Sequence, residues 1–450
     1  MNPLRYKAFR LIYSADQWRS RRVTPGGVAV VAGFALVGGL GLDSTQSLTY
    51  QIFTFLGSML ILAVAQGIRF RDRLSLSRSL PRFGTAGVPL SYRVTLTNHT
   101  AHWQRGLWLR ETFADPRPSY RELRNTPEPG EEQRNRFDRS LGYYRWLWLI
   151  RRNQRATSQR VAVPPIPPRS QVEVMLTLRP YSRGAVHLTG ATLMRPDLFG
   201  LFNGCQHLPL AQSLWILPHR YPLPLVQLAG GRRYQSGGVA LASSVGESDE
   251  FMALRDYRPG DPLRKIHWKS WAKLDKPVVR EDQDEFFVRH ALILDTFQAE
   301  AYSQTLEEAI ALAASFACSF QTQESLLDLM FVGLEAYCFT AGRGLGHTDQ
   351  MLEILASVVA CGDKPFSSLV PSVVERSDLL SGCICIFLQW DDDRQGLVQQ
   401  LGALRIPTLV LVVAAAGQTA ADFDTRVITA PTTRFQVVPL DNIAPTLLAL

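Results

Sequence analysis

Residues able to do chemistry are densest between Gly246 and Lys273, a stretch that reads GESDEFMALRDYRPGDPLRKIHWKSWAK. Glu250 and Asp261 are interspersed with Arg255 and Arg264, and Tyr257, Gly260, His267, Trp268 and Lys269 complete the set. A guanidinium group binds carboxylates through planar, paired hydrogen bonds, so these residue types suit a loop pinned on itself. Pro259-Gly260-Asp261-Pro262 supplies the turn. The same residues could instead meet a partner, because exposed Trp and Arg side chains carry much of the energy of protein interfaces. Pinning is the commoner use of such charged networks, and both can hold at once.

Templates for catalysis fit poorly. Gly342-Arg-Gly344-Leu-Gly346 sits between an expected strand and an expected helix, where a phosphate loop would. It lacks both the G-x-G-x-x-G spacing and a Walker lysine. No G-x-S-x-G elbow or H-E-x-x-H pair occurs. The six cysteines contain no C-x-x-C and no spacing for zinc. Cys383 and Cys385 alternate in an apolar run, which places both on one face of a buried strand as free thiols. Asp391-Asp392-Asp393 suits the start of a helix better than a metal cluster.

The elements that must position these residues follow from periodicity. Beyond Glu285, strands expected at His290–Asp295, Leu326–Val332, Cys383–Leu388 and Thr408–Val413 alternate with helices at Ser303–Ser319, Thr348–Val359 and Leu397–Leu404. That order predicts an α/β domain over 285–450. Upstream, Leu90–Leu96 and Val172–Leu178 alternate with period two, and a β-sandwich-like domain is expected over 74–225. Residues 115–168 interrupt it. The part through Arg139 reads as a mobile loop, and Tyr143–Arg152, rich in Tyr, Trp and Arg, suits either a membrane headgroup layer or packing on the sandwich. Residues 226–284 form a linker that carries the Gly246–Lys273 stretch.

Residues 1–73 read as a basic tail and a membrane anchor. Val23–Leu42 and Ile52–Ile68 carry no charge and approach the roughly 20 residues that cross a bilayer. Ala29/Gly33 and Ala35/Gly39 would let the two helices approach. Arginines flank the pair on both outer sides and none lies in the connection, so both ends are expected in the cytoplasm. Charge agrees. Residues 285–450 hold 8 Lys/Arg and 19 Asp/Glu, a net of −11, while residues 1–284 hold 40 and 21, a net of +19. A basic half beside anionic lipid is the expectation. No nucleic-acid-binding signature supports the competing reading.

The Gly246–Lys273 stretch resembles the domain of unknown function 58 family of bacteria through its G-E-x-x-E-F-x-x-L-R-x-Y-x-P-G-D-x-x-R-x-I-x-W pattern. Tyr181-Ser-Arg183-Gly184 and Pro196-Asp197-Leu198-Phe199-Gly200-Leu201 look like two further family segments. The resemblance implies a protein of the bacterial inner membrane whose partner is a MoxR-type AAA+ ATPase or a membrane transglutaminase-like protein. It also implies a von Willebrand factor A-like C-terminal domain, a fold that often holds Mg²⁺. Asp295, Thr348 and Asp391 then match three of the ligand positions. Phe297 and Ala299 stand where two serines should, and neither offers oxygen to a hard cation. The expectation is therefore a non-enzymatic interaction protein without a cofactor. A metal-dependent adhesion module and an enzyme with an unrecognised site are the alternatives.

Overall fold

The computed structural model describes residues 3–39, 47–224, 251–259, 263, 266–282, 289–321, 326–333, 335–341, 348–428 and 430–450. The architecture is β-rich and multidomain, with two compact units, 1–219 and 220–450.

The first unit begins with three helices, α1 (Pro3–Arg22), α2 (Pro25–Gly39) and α3 (Ser47–Arg69). Among the described residues one helix is long and apolar enough to cross a membrane, Leu48–Arg69. At 1.5 Å per residue its 22 residues span about 33 Å, and only 6% of its apolar window is buried by protein. The described part of α2 is shorter, 15 residues, because positions 40–42 of the first apolar run lie outside the described residues. The two helices pack through glycine, loosely at the expected Gly33, whose Cβ would lie 3.9 Å from Leu56, and more tightly at two other positions. A Cβ at Gly57 would lie 3.1 Å from the Phe34 ring, and one at Gly38 would lie 3.2 Å from the Phe53 ring. Phe34 and Phe53 stack at 4.4 Å, whereas Gly39 faces open space.

The sandwich follows. Strands β1 (Leu74–Ser79), β2 (Phe83–Thr85), β3 (Leu90–Asn98) and β4 (Leu107–Phe113) precede the insertion. β5 (Ala156–Ser158), β6 (Val161–Val163), β7 (Gln171–Pro180), β8 (Gly184–Pro196) and β9 (Asn203–Leu217) come after it. They form sheets in the orders β1-β3-β7-β5 and β2-β9-β8-β4-β6. Period-two alternation sends Tyr92, Val94 and Leu96 of β3, and Val174, Leu176 and Leu178 of β7, into one core. β8 bends at Gly190, where the register slips and φ is +155°. A Cβ there would sit 2.2 Å from the Leu208 carbonyl oxygen, so only glycine fits.

The reading of residues 115–139 as a mobile loop is corrected. They contain helices α4 (Tyr120–Asn125) and α5 (Arg136–Leu141), and α6 (Tyr143–Asn153) follows. Ser119 and Glu122 form a capping box on α4, and Arg145 holds Glu131 through bonds of 2.6 and 2.9 Å. The stretch looked structureless because its apolar content is low; Leu123 is its principal anchor, fully buried against Trp146, Leu149 and Phe9 of α1. Trp146 therefore packs on protein, while Tyr143 and Tyr144 remain about 40% exposed.

In the second unit β10 (Phe251–Asp256) and β11 (Val278–Asp282) form an antiparallel pair, with α7 (Trp268–Leu274) between them in sequence. Then come β12 (Arg289–Leu294), α8 (Gln304–Gln321), β13 (Leu326–Val332), β14 (Ala336–Ala341), α9 (Thr348–Ser357), α10 (Val370–Val374), β15 (Gly382–Phe387), α11 (Asp392–Ala403), β16 (Thr408–Ala414), β17 (Thr433–Pro439) and α12 (Ile443–Leu448). Strand order is β14-β13-β12-β15-β16-β17, parallel except for the edge strand β14. Strands buried on both faces explain the apolar runs of β12, β13, β15 and β16. At the edges, β14 is short and mostly exposed or half-buried, and β17 mixes polar with apolar residues. Cys383 and Cys385 are both fully buried, their sulfurs 3.6 Å apart.

His290, at the start of β12, is 8% exposed, and burial pulls its pKa down to about 4. A neutral folded imidazole opposes protonation, so its stabilisation is complete above the unfolded pKa near 6.5. It is lost as pH falls from there toward 4, by about 3 kcal/mol in all. Protection factors along Ala291–Leu294, taken relative to the intrinsic exchange rate at each pH, should therefore fall from pH 7 to pH 5, and His290→Gln should flatten that dependence. Identical pH profiles for the two proteins would contradict this account.

Candidate functional site

The family-like stretch folds as a hairpin with a short helix across it. Arg255 pairs with Val279 and Asp256 with Val278 in the β10–β11 ladder. The backbone N–H groups of Tyr257 and His267 donate to the Pro277 and Val278 carbonyls, both at 2.9 Å. Ile266 bridges to Val279 and is buried, which ties the start of α7 to β11. Arg255 and Tyr257 are half-buried, and the Arg255 guanidinium donates to the Asp256 carbonyl at 3.2 Å. His267 precedes α7, with its Nδ1 2.7 Å from the Ser270 hydroxyl. Glu250, Gly260, Asp261 and Arg264 lie outside the described residues.

What the helix presents is apolar and basic. Trp268 is 63% exposed and stacks on Trp271 with centroids 5.2 Å apart. Lys269 and Lys273 are exposed beside it, as are Leu263 and Leu274. A stacked pair of indoles held on a rigid turn is a low-entropy anchor for a partner surface.

The three metal-ligand candidates have different fates. Asp295 follows β12 and Leu388 follows the adjacent β15, at the point where the sheet order reverses and open α/β sheets commonly bind ligands. That place is filled by Arg394, 2% exposed, from the first turn of α11. Its Nε and Nη2 donate to Asp295 Oδ2 and Oδ1 at 2.9 and 3.1 Å, and its Nη1 donates to Asp391. Asp295 also accepts the Phe297 and Leu388 amides, each at 3.0 Å. Burial is the largest influence on its carboxyl and raises its pKa, against the opposing pull of Arg394. Asp391 is the N-cap of α11, its Oδ1 accepting the Arg394 amide at 3.1 Å. Phe297 is buried edge-on to Phe366, and the Arg394 guanidinium lies 4.5 Å from the centre of the Phe366 ring. Thr348 opens α9, half-buried. Among the described residues, no group of three or more His, Cys, Asp or Glu residues could hold a metal ion.

Arg394 was not singled out in the sequence. The signal was a cation three residues after Asp391 in a first turn where acids are favoured. Two more ion pairs with buried acids escaped notice. Arg289 binds Asp328 at 2.8 and 3.0 Å, and Arg78 of β1 binds Glu111 of β4 across the sandwich at 2.7 and 3.1 Å. Arg78 shares the inward parity of Leu74, and Glu111 that of Leu107 and Leu109, which is the pattern that marks a buried charge.

The loop Pro196–Leu201 closes around Asp197, which accepts the Phe199 and Phe202 amides at 3.1 and 2.8 Å. It binds both apolar helices at their ends. The Leu198 amide donates to the Gln66 side chain at 3.0 Å, and the Thr24 hydroxyl donates to the Gly200 carbonyl at 2.6 Å. Gly27 lies so close that a Cβ would be 2.2 Å from the Leu201 carbonyl oxygen.

Comparison with known proteins agrees with the hairpin's sequence pattern. A stretch of 176 residues is 26% identical to the uncharacterized protein YeaD of Bacillus subtilis (strain 168); it covers 39% of this chain and 42% of that protein. The chain thus spans less than half the length of that curated relative. Likeness to solved structures is slight. The CARDB domain of PF1109 from Pyrococcus furiosus covers 32% of this chain and 93% of its own, at 7% identity and a TM-score of 0.17. AvmM, which catalyses macrocyclization in alchivemycin A biosynthesis, covers 35% and 94%, at 15% identity and a TM-score of 0.19. Residues 253–380, from the hairpin through most of the α/β sheet's first half, match the family described as protein of unknown function DUF58.

Proposed function

We propose that this chain is a membrane-anchored, non-enzymatic interaction protein that works with a MoxR-type AAA+ ATPase. The observation that carries the proposal is the exposed Trp268, stacked on the half-buried Trp271 with Lys269 beside it, inside the matched segment. The C-terminal unit is read as von Willebrand factor A-like. Its doubly wound sheet, with an antiparallel edge and an acid after the first strand, supports that reading. Truncating a central aromatic anchor costs an interface about 2 kcal/mol or more, some thirtyfold in affinity. Trp268→Ala should therefore weaken binding to the purified ATPase by about that factor at an unchanged melting temperature. Binding equal to wild type would remove the hairpin from the interface.

For the anchor we read α2 and α3 as two membrane-spanning helices with both termini in the cytoplasm. The arginines on both outer flanks, and the unburied apolar surface of α3, support this reading. A cysteine introduced at Arg121 should resist an impermeant thiol reagent in intact cells and react after permeabilisation. Labelling in intact cells would reverse the orientation.

A further inference from the structure

We propose that the cleft between the C-terminal half of α1 and the β4–β8–β9 face binds the headgroup of an anionic phospholipid. This rests on the membrane reading above. The cleft encloses about 490 Å³ and is walled by Tyr13, Trp18, Arg21, Arg22, Phe113 and Arg117.

Its charge is unbalanced. Asp115 is the one carboxylate among the residues that line it, and Arg117 already holds it, Nε to Oδ2 at 2.7 Å. Arg117 also donates to the Ser14 hydroxyl at 2.7 Å, which fixes the guanidinium on the cleft wall. Arg21 and Arg22 form no ion pair among the described residues; Arg22 lies over the Trp18 ring, 5.8 Å from its centre. Arg110 stands opposite the cleft residue Thr192 in the β4–β8 ladder. Arginines that repel one another around a concave surface call for an anion, and guanidinium groups pair well with phosphate oxygens.

Position selects the source of that phosphate. Arg21 and Arg22 end α1, and the apolar helix α2 begins at Pro25, so the cleft lies beside the chain's entry into apolar sequence. Val23 pairs with Phe202, and Thr24 bonds the loop whose tip exposes Leu198 and Phe199. Leu198 is 85% exposed although its amide is held by Gln66 near the end of α3. An apolar tip, a tryptophan that is 55% exposed and unpaired arginines beside an apolar helix are what a headgroup layer accommodates. A soluble anion would need the arginines but neither Leu198 nor Trp18.

The test uses the full chain, released in detergent and titrated with short-chain phosphatidylglycerol, phosphatidylcholine or inorganic phosphate, with native mass spectrometry counting bound molecules. Wild type should bind phosphatidylglycerol in preference to phosphatidylcholine. Each arginine removed should weaken that binding about fivefold, so Arg21→Gln/Arg22→Gln should lose roughly 25-fold. Arg179→Gln, on an exposed position of β7, should leave it unchanged. Equal phosphatidylglycerol affinity in wild type and the double variant overturns the proposal. So does displacement of the lipid by inorganic phosphate at equal concentration, which would make the cleft a soluble-anion site. Carbonate washing of membranes separates the two readings. Release of wild type refutes the anchor itself, whereas retention with arginine-independent lipid binding refutes the cleft alone.

Discussion

Arg394→Ala should destabilise the C-terminal unit by about 3–5 kcal/mol, a large part of the stability of an ordinary domain. Among the described residues the guanidinium is the only counter-charge bonded to Asp295, which is fully buried, and it reaches Asp391 as well. Deleting it leaves a carboxylate out of water with two amide donors and no cation. Arg426→Ala offers the contrast. That arginine pairs with Asp424 but is 90% exposed, and its loss should leave the melting curve unchanged. Urea unfolding of the full chain in detergent, with amide exchange in β12 and β15, reads the difference. The same pair of acids bears on metal binding. In wild type the oxygens of Asp295 are already occupied by four protein donors, and Phe297 and Ala299 add no ligand. Titration with Mg²⁺ should therefore give no binding in the micromolar range. Once Arg394 is gone, millimolar Mg²⁺ should recover part of the lost stability, because a hard cation is the other way to balance two carboxylates. Micromolar binding to wild type, abolished by Asp295→Ala, would mean that the arginine is not the resident cation. A variant as stable as wild type would show that the pair adds nothing to the unit.

How much of this was legible beforehand depended on whether a residue's partner lay nearby in sequence. The long apolar runs gave β12, β13, β15 and β16 to within a residue or two, because strands buried on both faces need little beyond hydrophobic side chains. β17 escaped because an edge strand has one partner and tolerates polar residues, and β14 because the apolar run Ala336–Phe339 is too short to mark a strand. The Asp115–Arg139 segment was misread for a related reason. Its helices are six residues each, too short for periodicity, and they are held by a capping box and a distant phenylalanine. At the candidate sites, Trp268 and Lys269 were picked for their chemistry, and both stand exposed. Asp295 and Asp391 were chosen as ligands of a missing ion. Local sequence could not show that Arg394, 99 residues from Asp295, would lie between them. A three-residue offset from Asp391 hinted at one contact, but the other depends on the sheet's order.

The second large effect belongs to the sandwich. Arg78 and Glu111 join its two sheets with both side chains fully buried, and Arg78 also donates to Gln212 at 3.1 Å. Arg78→Ala or Glu111→Ala alone should cost about 3–5 kcal/mol, since either change strands a charge in the core. Arg78→Met with Glu111→Leu should recover most of that loss, because apolar groups of similar volume fill the same space without desolvating an ion. The two single losses are thus expected to be far from additive. A pH dependence follows from the carboxyl. Burial is the main reason that the pKa of Glu111 is raised above the usual glutamate value, with Arg78 pulling it back down. A carboxyl raised in the folded state contributes stability that is complete below its unfolded pKa and declines as pH rises through the folded one. Without Arg78 the folded value climbs further. The deficit of Arg78→Ala should then be smallest near pH 4, where Glu111 takes up a proton, and should grow toward pH 8. Amide exchange in β3 and β8 of the full chain, compared at pH 5 and pH 8, measures it. A deficit of the same size at both values would mean that Glu111 stays ionised in the core without its partner, and the account of what holds the two sheets together would fail.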